Sequence, residues 1–423
     1  MHPFLSFFPD FFLYIDPGTG SMLFSIAIGA AAALYFLFRA LLLKAKVFFA
    51  GGKSAGGAKN RFVIYAEDKR YWTLFKGVCD EIEGRGAEAL YLTSSPDDPV
   101  FAAGYGRIKP ELLGQGNRAF ARLNFLSADF VLATTPGLDV FQWKRSKTVG
   151  HYCHILHATA DATMYAPFGL DYFDSVLCTG DYQQEEIRAL ERLRGLPPKT
   201  LLTVGCPYLD WAQEKLRQDP SGADADAGKD GPVLVSPSWG PSGLLSRYGE
   251  KLLDPLLDSG LAVIVRPHPQ SKISEAELLG RLTARYADRP NIEWDYSGDN
   301  TAAMSRASVM ISDFSGIIFD FMFLFDRPVL YVNYELDLRR YDAHWLPEGS
   351  LWQTRAVQEA AVELREGDFG NIAQVIRDAR TSPSLREARL TAKNTAWQRR
   401  GEAGKLTADF MFAQADKNTN TEA

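Results

Sequence analysis

The stretch Val309 to Leu324, VMISDFSGIIFDFMFL, decides the fold. A short apolar run ends in Ser312-Asp313, turns at Ser315-Gly316, and continues as an apolar segment too long for another strand. This spacing predicts a strand, a tight turn and a helix over 317–324. At the start of such a helix the first amides have no carbonyl partner and the positive end of the dipole collects, which suits a diphosphate. Asp320 lies one turn inside, placed either to accept hydrogen bonds from ribose hydroxyls or to offset the dipole. Asp313 either faces a ligand or caps the helix.

Working outward, the same alternation fills residues 233–383, with strands expected at 233–236, 261–266, 292–294, 309–312 and 329–332 and helices at 250–257 and 275–286. Upstream, residues 61–217 carry strands at 62–65, 89–92, 130–133, 148–151, 175–178 and 201–204, with helices at 71–83 and 183–194. Alternation of this kind predicts an α/β chain of two Rossmann-like lobes, each with a parallel sheet, and a ligand between them at the carboxyl ends of the strands. Between the lobes, residues 218–232 (QDPSGADADAGKDGP) read as a linker, and the Asp224-Ala225-Asp226 within them as solvated charge rather than a metal site. A helical stretch at 384–412 is expected to brace the lobes, and the tail from 417 to fray.

Residues 1–60 read as a membrane anchor and linker. From Met22 to Phe38 there is no charge, and with Arg39 snorkelling the apolar character continues to Leu43, long enough to span a bilayer core. Lys and Arg follow the span and none precedes it, so the N-terminus is expected outside and the bulk of the chain in the cytoplasm. The segment 14–21, YIDPGTGS, reads as a turn, and 50–58 as a flexible linker. A formal charge of −6 without a basic run argues against nucleic acid as partner. The cysteines, Cys79, Cys153, Cys178 and Cys206, form no CxxC pair, which fits a reducing compartment and no zinc site.

Two further stretches carry chemistry. Arg266-Pro267-His268-Pro269 follows the apolar LAVIV, so prolines hold an imidazole at a strand end beside an arginine that suits an anion. In HYCHILHATAD, His151, His154 and His157 recur every third residue; the stretch reads as a strand and loop, leaving His157 functional at the strand end and the other two structural.

Together these pieces, with FDSVLCTGDYQQEEIR, VGCPYLD, SPSWGPSGLLSRYG, VIVRPHPQS, NTAAMSRASVMISDFSGIIFDFMFLFDRPVLY and the trailing YDA, resemble the CDP-glycerol:poly(glycerophosphate) glycerophosphotransferase family of teichoic-acid-type enzymes, most closely over 173–343. The resemblance implies a GT-B-like fold and transfer of glycerol phosphate, or a related polyol phosphate, from a CDP-activated donor to a lipid-linked or polymeric hydroxyl acceptor, releasing CMP. It implies catalytic roles for His268 and His157, the latter as general base, and donor binding by Arg266, Ser312, Asp313, Ser315, Gly316 and Asp320. His157 opens HATAD where the family usually has an HGTP-type signature. The sequence shows no convincing cofactor or metal site, and leaves a divalent metal open. Two other readings stay open: a GT-B glycosyltransferase or sugar-nucleotide epimerase using a UDP- or GDP-sugar, and a non-catalytic anchored scaffold.

Overall fold

The computed structural model describes residues 59–218 and 231–422 apart from 314, 335 and 348, together with 34, 35 and 37–39. Contacts divide the chain into residues 1–58 and 59–423. In the first unit, residues 34, 35 and 37–39 are helical. The predicted span at 22–43 otherwise lies outside the described residues, among which no helix is long and apolar enough to cross a membrane. The 14–21 turn, the 50–58 linker and the Asp224/Asp226 pair lie outside them too.

In the second unit, one sheet contains β1 (Asn60–Ala66), β2 (Ala89–Thr93), β3 (Ile108–Leu112), β4 (Ser127–Ala133), β5 (Thr148–Val149), β6 (Tyr152–Ile155), β7 (Ser175–Cys178) and β8 (Thr200–Thr203). Their order is β3-β2-β1-β4-β6-β7-β8, with β5 also on β4. The other sheet, β9 (Val233–Val235), β10 (Val263–Val265), β11 (Ile292–Trp294), β12 (Val309–Ser312), β13 (Val329–Tyr331) and β14 (Val362–Glu363), runs β11-β10-β9-β12-β13-β14. All the pairings are parallel. Helices cover both faces: α1 (Trp72–Gly84), α2 (Asn117–Leu123), α3 (Asp181–Arg194) and α4 (Pro207–Gln218) belong to the first lobe, and α5 (Leu244–Asp258), α6 (Ala276–Arg285), α7 (Thr301–Arg306), α8 (Ile317–Phe325), α9 (Trp352–Ala360) and α10 (Ile372–Thr381) to the second. Strands buried on both faces need apolar side chains throughout, and Phe62, Val63 and Ile64 of β1 and Val309, Met310 and Ile311 of β12 are all fully buried.

Several elements depart from expectation. Of the strand expected at 148–151 only β5 forms, and an unexpected strand, β6, begins just beyond Gly150-His151. β3, with sequence IKPEL, was not expected at all; it pairs only with β2, and an edge position tolerates Pro110. The helical stretch expected at 384–412 is two helices, α11 (Pro383–Ala396) and α12 (Ala403–Glu422), and α12 stays helical through the segment expected to fray.

The break between α11 and α12 has a cause in α4. Arg399 and Gly401 take φ of 48° and 78°, and Asp210 accepts from Trp397 Nε1 (2.8 Å), Gly401 N (2.8 Å) and Ala403 N (3.1 Å). α11 touches α3 of the first lobe and α8 and α9 of the second, while α12 returns to lie on α1. There the backbones of Gly77 and Gly404 meet so closely that a Cβ on Gly404 would sit 2.8 Å from Gly77. Replacing Asp210 by Ala strands three donors at this corner, so Asp210→Ala should lower the unfolding free energy by about 1–3 kcal/mol in urea titration. An unchanged midpoint would show that solvent satisfies the corner.

Candidate active site

In both sheets the strand order reverses beside the first strand, between β1 and β4 in one and between β9 and β12 in the other. A doubly wound sheet opens a crevice outside the carboxyl ends of its strands at such a point. The two carboxyl edges face each other, because loops leaving them are bonded together. Asp161, beyond β6, accepts from Trp352 N (2.6 Å) and Gln353 N (2.8 Å) at the start of α9, and Asp342, beyond β13, accepts from Phe168 N (2.9 Å).

Asp161 is buried, and so is the Glu186 carboxyl of α3 that bonds to it. Burial, and then Asp161, push Glu186 far above the usual carboxylate range, so Glu186 keeps its proton and donates it to Asp161. Asp161 thus holds the amino end of α9 across the lobes through the two amides it accepts from. Beside it, Tyr182 of α3 and Trp352 of α9 are 4.5 Å apart, and Trp352 lies 5.3 Å from Phe319 of α8. A second tie places Arg194 between Asp171 (2.7 Å) and Asp342, with its guanidinium over Phe168.

At the first-lobe crevice, His157 follows β6 and is partly exposed. Its Nδ1 lies 3.3 Å from Thr134 Oγ1, at the end of β4, and 3.2 Å from Tyr165 Oη; the Tyr71 ring meets it edge-on at 5.5 Å. Burial, helped by the nearby Arg70, lowers its pKa to about 4, so the imidazole is neutral at pH 7. His151 and His154 are structural: His151 stacks on Phe130 and bonds to Ser175, while His154 is fully buried, bonds to Tyr165 and is pushed down by burial to about 3.

At the second-lobe crevice, His268 is exposed just beyond β10. Its Nδ1 accepts from Gln270 N at 3.1 Å, which puts the proton of the neutral ring on Nε2. Trp239 lies 6.3 Å away, and burial holds the imidazole below its ordinary pKa against the opposing pull of Asp313 and Glu275.

The remaining predicted residues divide by what they touch. Ser312 and Asp313 are buried: Ser312 Oγ donates to Ser236 O (2.6 Å), and Asp313 accepts from Ser238 N (3.0 Å) and Leu244 N (2.8 Å). They shape the loop between β9 and α5, whose Trp239 stands beside His268. Arg266 pairs with Asp295 and bonds to Ser297 Oγ (3.0 Å) and Ser297 O (2.8 Å), tying two strand ends together. Ser315 and Gly316 do open α8, with Gly316 exposed and room around it for a ligand. Asp320 is partly exposed and bonds to Tyr208 of α4; burial raises its carboxyl to about 7. Among the described residues no group of three or more His, Cys, Asp or Glu is placed to hold a metal ion.

Thr134, Tyr165 and Asp161 are the residues that sequence reasoning missed. The Thr-Thr-Pro after β4 marks a strand end at the crevice, and Asp161 closes the HATAD segment. Neither is informative until the loops are seen to meet.

Comparison with known proteins bears on this geometry. Residues 182–346 match the family model described as CDP-glycerol:poly(glycerophosphate) glycerophosphotransferase. No curated protein matches the chain. Among solved structures, the H444N variant of the wall teichoic acid polymerase TagF is 12% identical, with a TM-score of 0.52 over 86% of this chain and 90% of that one. A UDP-N-acetylglucosamine 2-epimerase described as putative, from Listeria monocytogenes, is 12% identical with a TM-score of 0.58 over 85% and 98%. The UDP-GlcNAc 2-epimerase of Neisseria meningitidis bound to UDP-GlcNAc is 13% identical with a TM-score of 0.53 over 84% and 100%. At these identities the structural likeness shows the two-lobed GT-B-like fold.

Proposed function

We propose, from the premise that residues 182–346 are a CDP-glycerol:poly(glycerophosphate) glycerophosphotransferase region and the chain a transferase of that type, that the protein transfers glycerol phosphate or a related polyol phosphate from a CDP-activated donor to a hydroxyl of a membrane-associated glycan or polymer. It does so on the cytoplasmic face of a bacterial inner membrane. The observation that carries this reading is a histidine just beyond a strand at the carboxyl edge of each sheet, His157 on one lobe and His268 on the other.

The acceptor hydroxyl attacks the phosphorus that bears the polyol. As that P–O bond forms, the proton passes to His157 Nε2, and the bond to the CMP oxygen breaks. With a proton on Nδ1, His157 donates to Thr134 or Tyr165 and keeps the Nε2 lone pair for this task. His268 offers its Nε2–H to a phosphate oxygen, and the first amides of α8 stabilise the diphosphate charge. Arg266, Ser312 and Asp313 position these groups. Asp320, which bonds to Tyr208, is assigned to the nucleotide end.

Titration calorimetry of the full chain in detergent with CDP-glycerol, CDP-ribitol, UDP-GlcNAc and CMP tests the donor. Binding is expected for the cytidine ligands only, weakened about tenfold or more in His268→Ala by loss of a charge-assisted hydrogen bond. Preference for UDP-GlcNAc would favour a sugar-nucleotide enzyme, and silence across the panel a scaffold.

A further inference from the structure

His154 is out of reach of any ligand, yet it stands one hydroxyl away from His157. It is fully buried in β6, between the rings of Tyr165 (5.3 Å) and Phe173 (5.1 Å). Its Nε2 lies 3.1 Å from Tyr165 Oη, and the same oxygen lies 3.2 Å from His157 Nδ1. One phenol therefore bridges two imidazoles. Tyr165 is held there from the second lobe, where Asp342 N donates to its carbonyl (2.9 Å).

A hydroxyl has one proton, so it donates to only one of the two rings and must accept from the other. The direction is set at the buried end of the chain. Burial keeps His154 neutral at pH 7, with a single ring proton. The polar group facing its Nδ1 is the Thr135 carbonyl, at a geometry too loose for a well-formed hydrogen bond. A carbonyl only accepts. With the proton on Nδ1 the contact is attractive, and Nε2 is left to accept from Tyr165. With the proton on Nε2, two lone pairs would face each other where no solvent reaches, which is the costlier arrangement. Tyr165 Oη therefore donates inward to His154 and offers its lone pairs to His157, whose Nδ1 must then carry a proton. Thr134 agrees with this direction. Its hydroxyl bonds to Tyr165 as well as to His157 Nδ1 (3.3 Å), and can donate to the phenol oxygen while accepting from the ring.

We propose that His154 and Tyr165 are positioning residues that fix His157 as its Nδ1–H tautomer and so leave Nε2 as a lone pair. His268 is set the other way, because its Nδ1 accepts from Gln270 N and its proton sits on Nε2. The two histidines thus offer a ligand one acceptor and one donor. The catalytic consequence rests on the reading of His157 as general base. The tautomer itself is read without nucleotide or turnover, so the two can fail separately.

The full chain, carrying ¹⁵N in its six histidines, is observed by long-range ¹H–¹⁵N correlation at pH 7, with His157 assigned from its absence in His157→Gln. Nδ1–H is expected for His157 and Nε2–H for His268. His154→Phe keeps a ring in the core but removes the phenol's acceptor. Tyr165 should then donate to His157 Nδ1 and move that ring predominantly to Nε2–H. His154→Gln offers an amide oxygen and should retain Nδ1–H. Tyr165→Phe should leave His157 a mixture of the two forms. Unchanged His151 and His268 signals show that a variant is folded. In turnover, kcat should fall about tenfold or more in His154→Phe at unchanged donor KM, and recover in His154→Gln. A wild-type His157 found as Nε2–H overturns the proposal. So does an Nδ1–H form left undiminished in whichever of the two phenylalanine variants folds.

Discussion

His157→Ala is expected to lower kcat for polyol-phosphate transfer by about 10²–10⁴ while leaving donor affinity nearly unchanged, because a general base acts in the transition state and not in donor binding. CMP release at saturating donor measures the first quantity and calorimetry the second. Around His157 the groups in contact are hydroxyls and an aromatic ring, Thr134, Tyr165 and Tyr71, and no carboxylate is among them. Without a negative partner the imidazolium is poorly stabilised, which agrees with a pKa lowered by burial to about 4. The sign of the pH effect follows. A base must be neutral, so the wild-type rate should hold as pH falls from 7 toward 5 and decline only near the lowered pKa. A decline centred near the unperturbed histidine value of about 6.5 would show the ring to be better solvated than its surroundings imply. If kcat survives in His157→Ala, the base lies elsewhere.

The second large effect concerns the joint between the lobes. Arg194 and its partners Asp171 and Asp342 are 9%, 7% and 1% exposed at their side chains. Removing the cation in Arg194→Met leaves two carboxylates facing each other out of water, which should cost about 3–5 kcal/mol of stability in urea unfolding. The exposed pair Arg61–Asp416 serves as control, and Arg61→Met should change stability by no more than about 1 kcal/mol. Equal small effects at both sites would mean that water reaches the Arg194 cluster. The Asp342 carboxyl is itself raised by burial despite Arg194, so this cluster is held together against a desolvation cost rather than assembled without one.

Much of the fold was legible because doubly buried parallel strands write themselves as apolar runs. Residues 175–178, 292–294 and 309–312 were expected as strands and are strands with those bounds. β3 was not legible because an edge strand needs little apolar surface and here contains a proline. The helix break at 397–402 escaped notice because its cause, Asp210, lies in another helix. The site followed the same rule. That His157 and His268 stand just past a strand could be read from the apolar run before each. The work of Asp313 could not, since its partners Ser238 and Leu244 are 75 and 69 residues earlier. Arg266 reads as an anion ligand until Asp295 and Ser297 are placed beside it.

The return of α12 to the first lobe has a consequence for biosynthesis. Met411 and Ala415 are buried in the same cluster as Phe62, Ile64 and Val78. A ribosome therefore makes one wall of the first lobe's core last, after the whole second lobe. At elongation rates of about 5–20 residues per second, the apolar surface of α1 waits on the order of 15–65 s for its cover. During that time it is available to chaperones, and a chain terminated before α12 keeps it permanently bare.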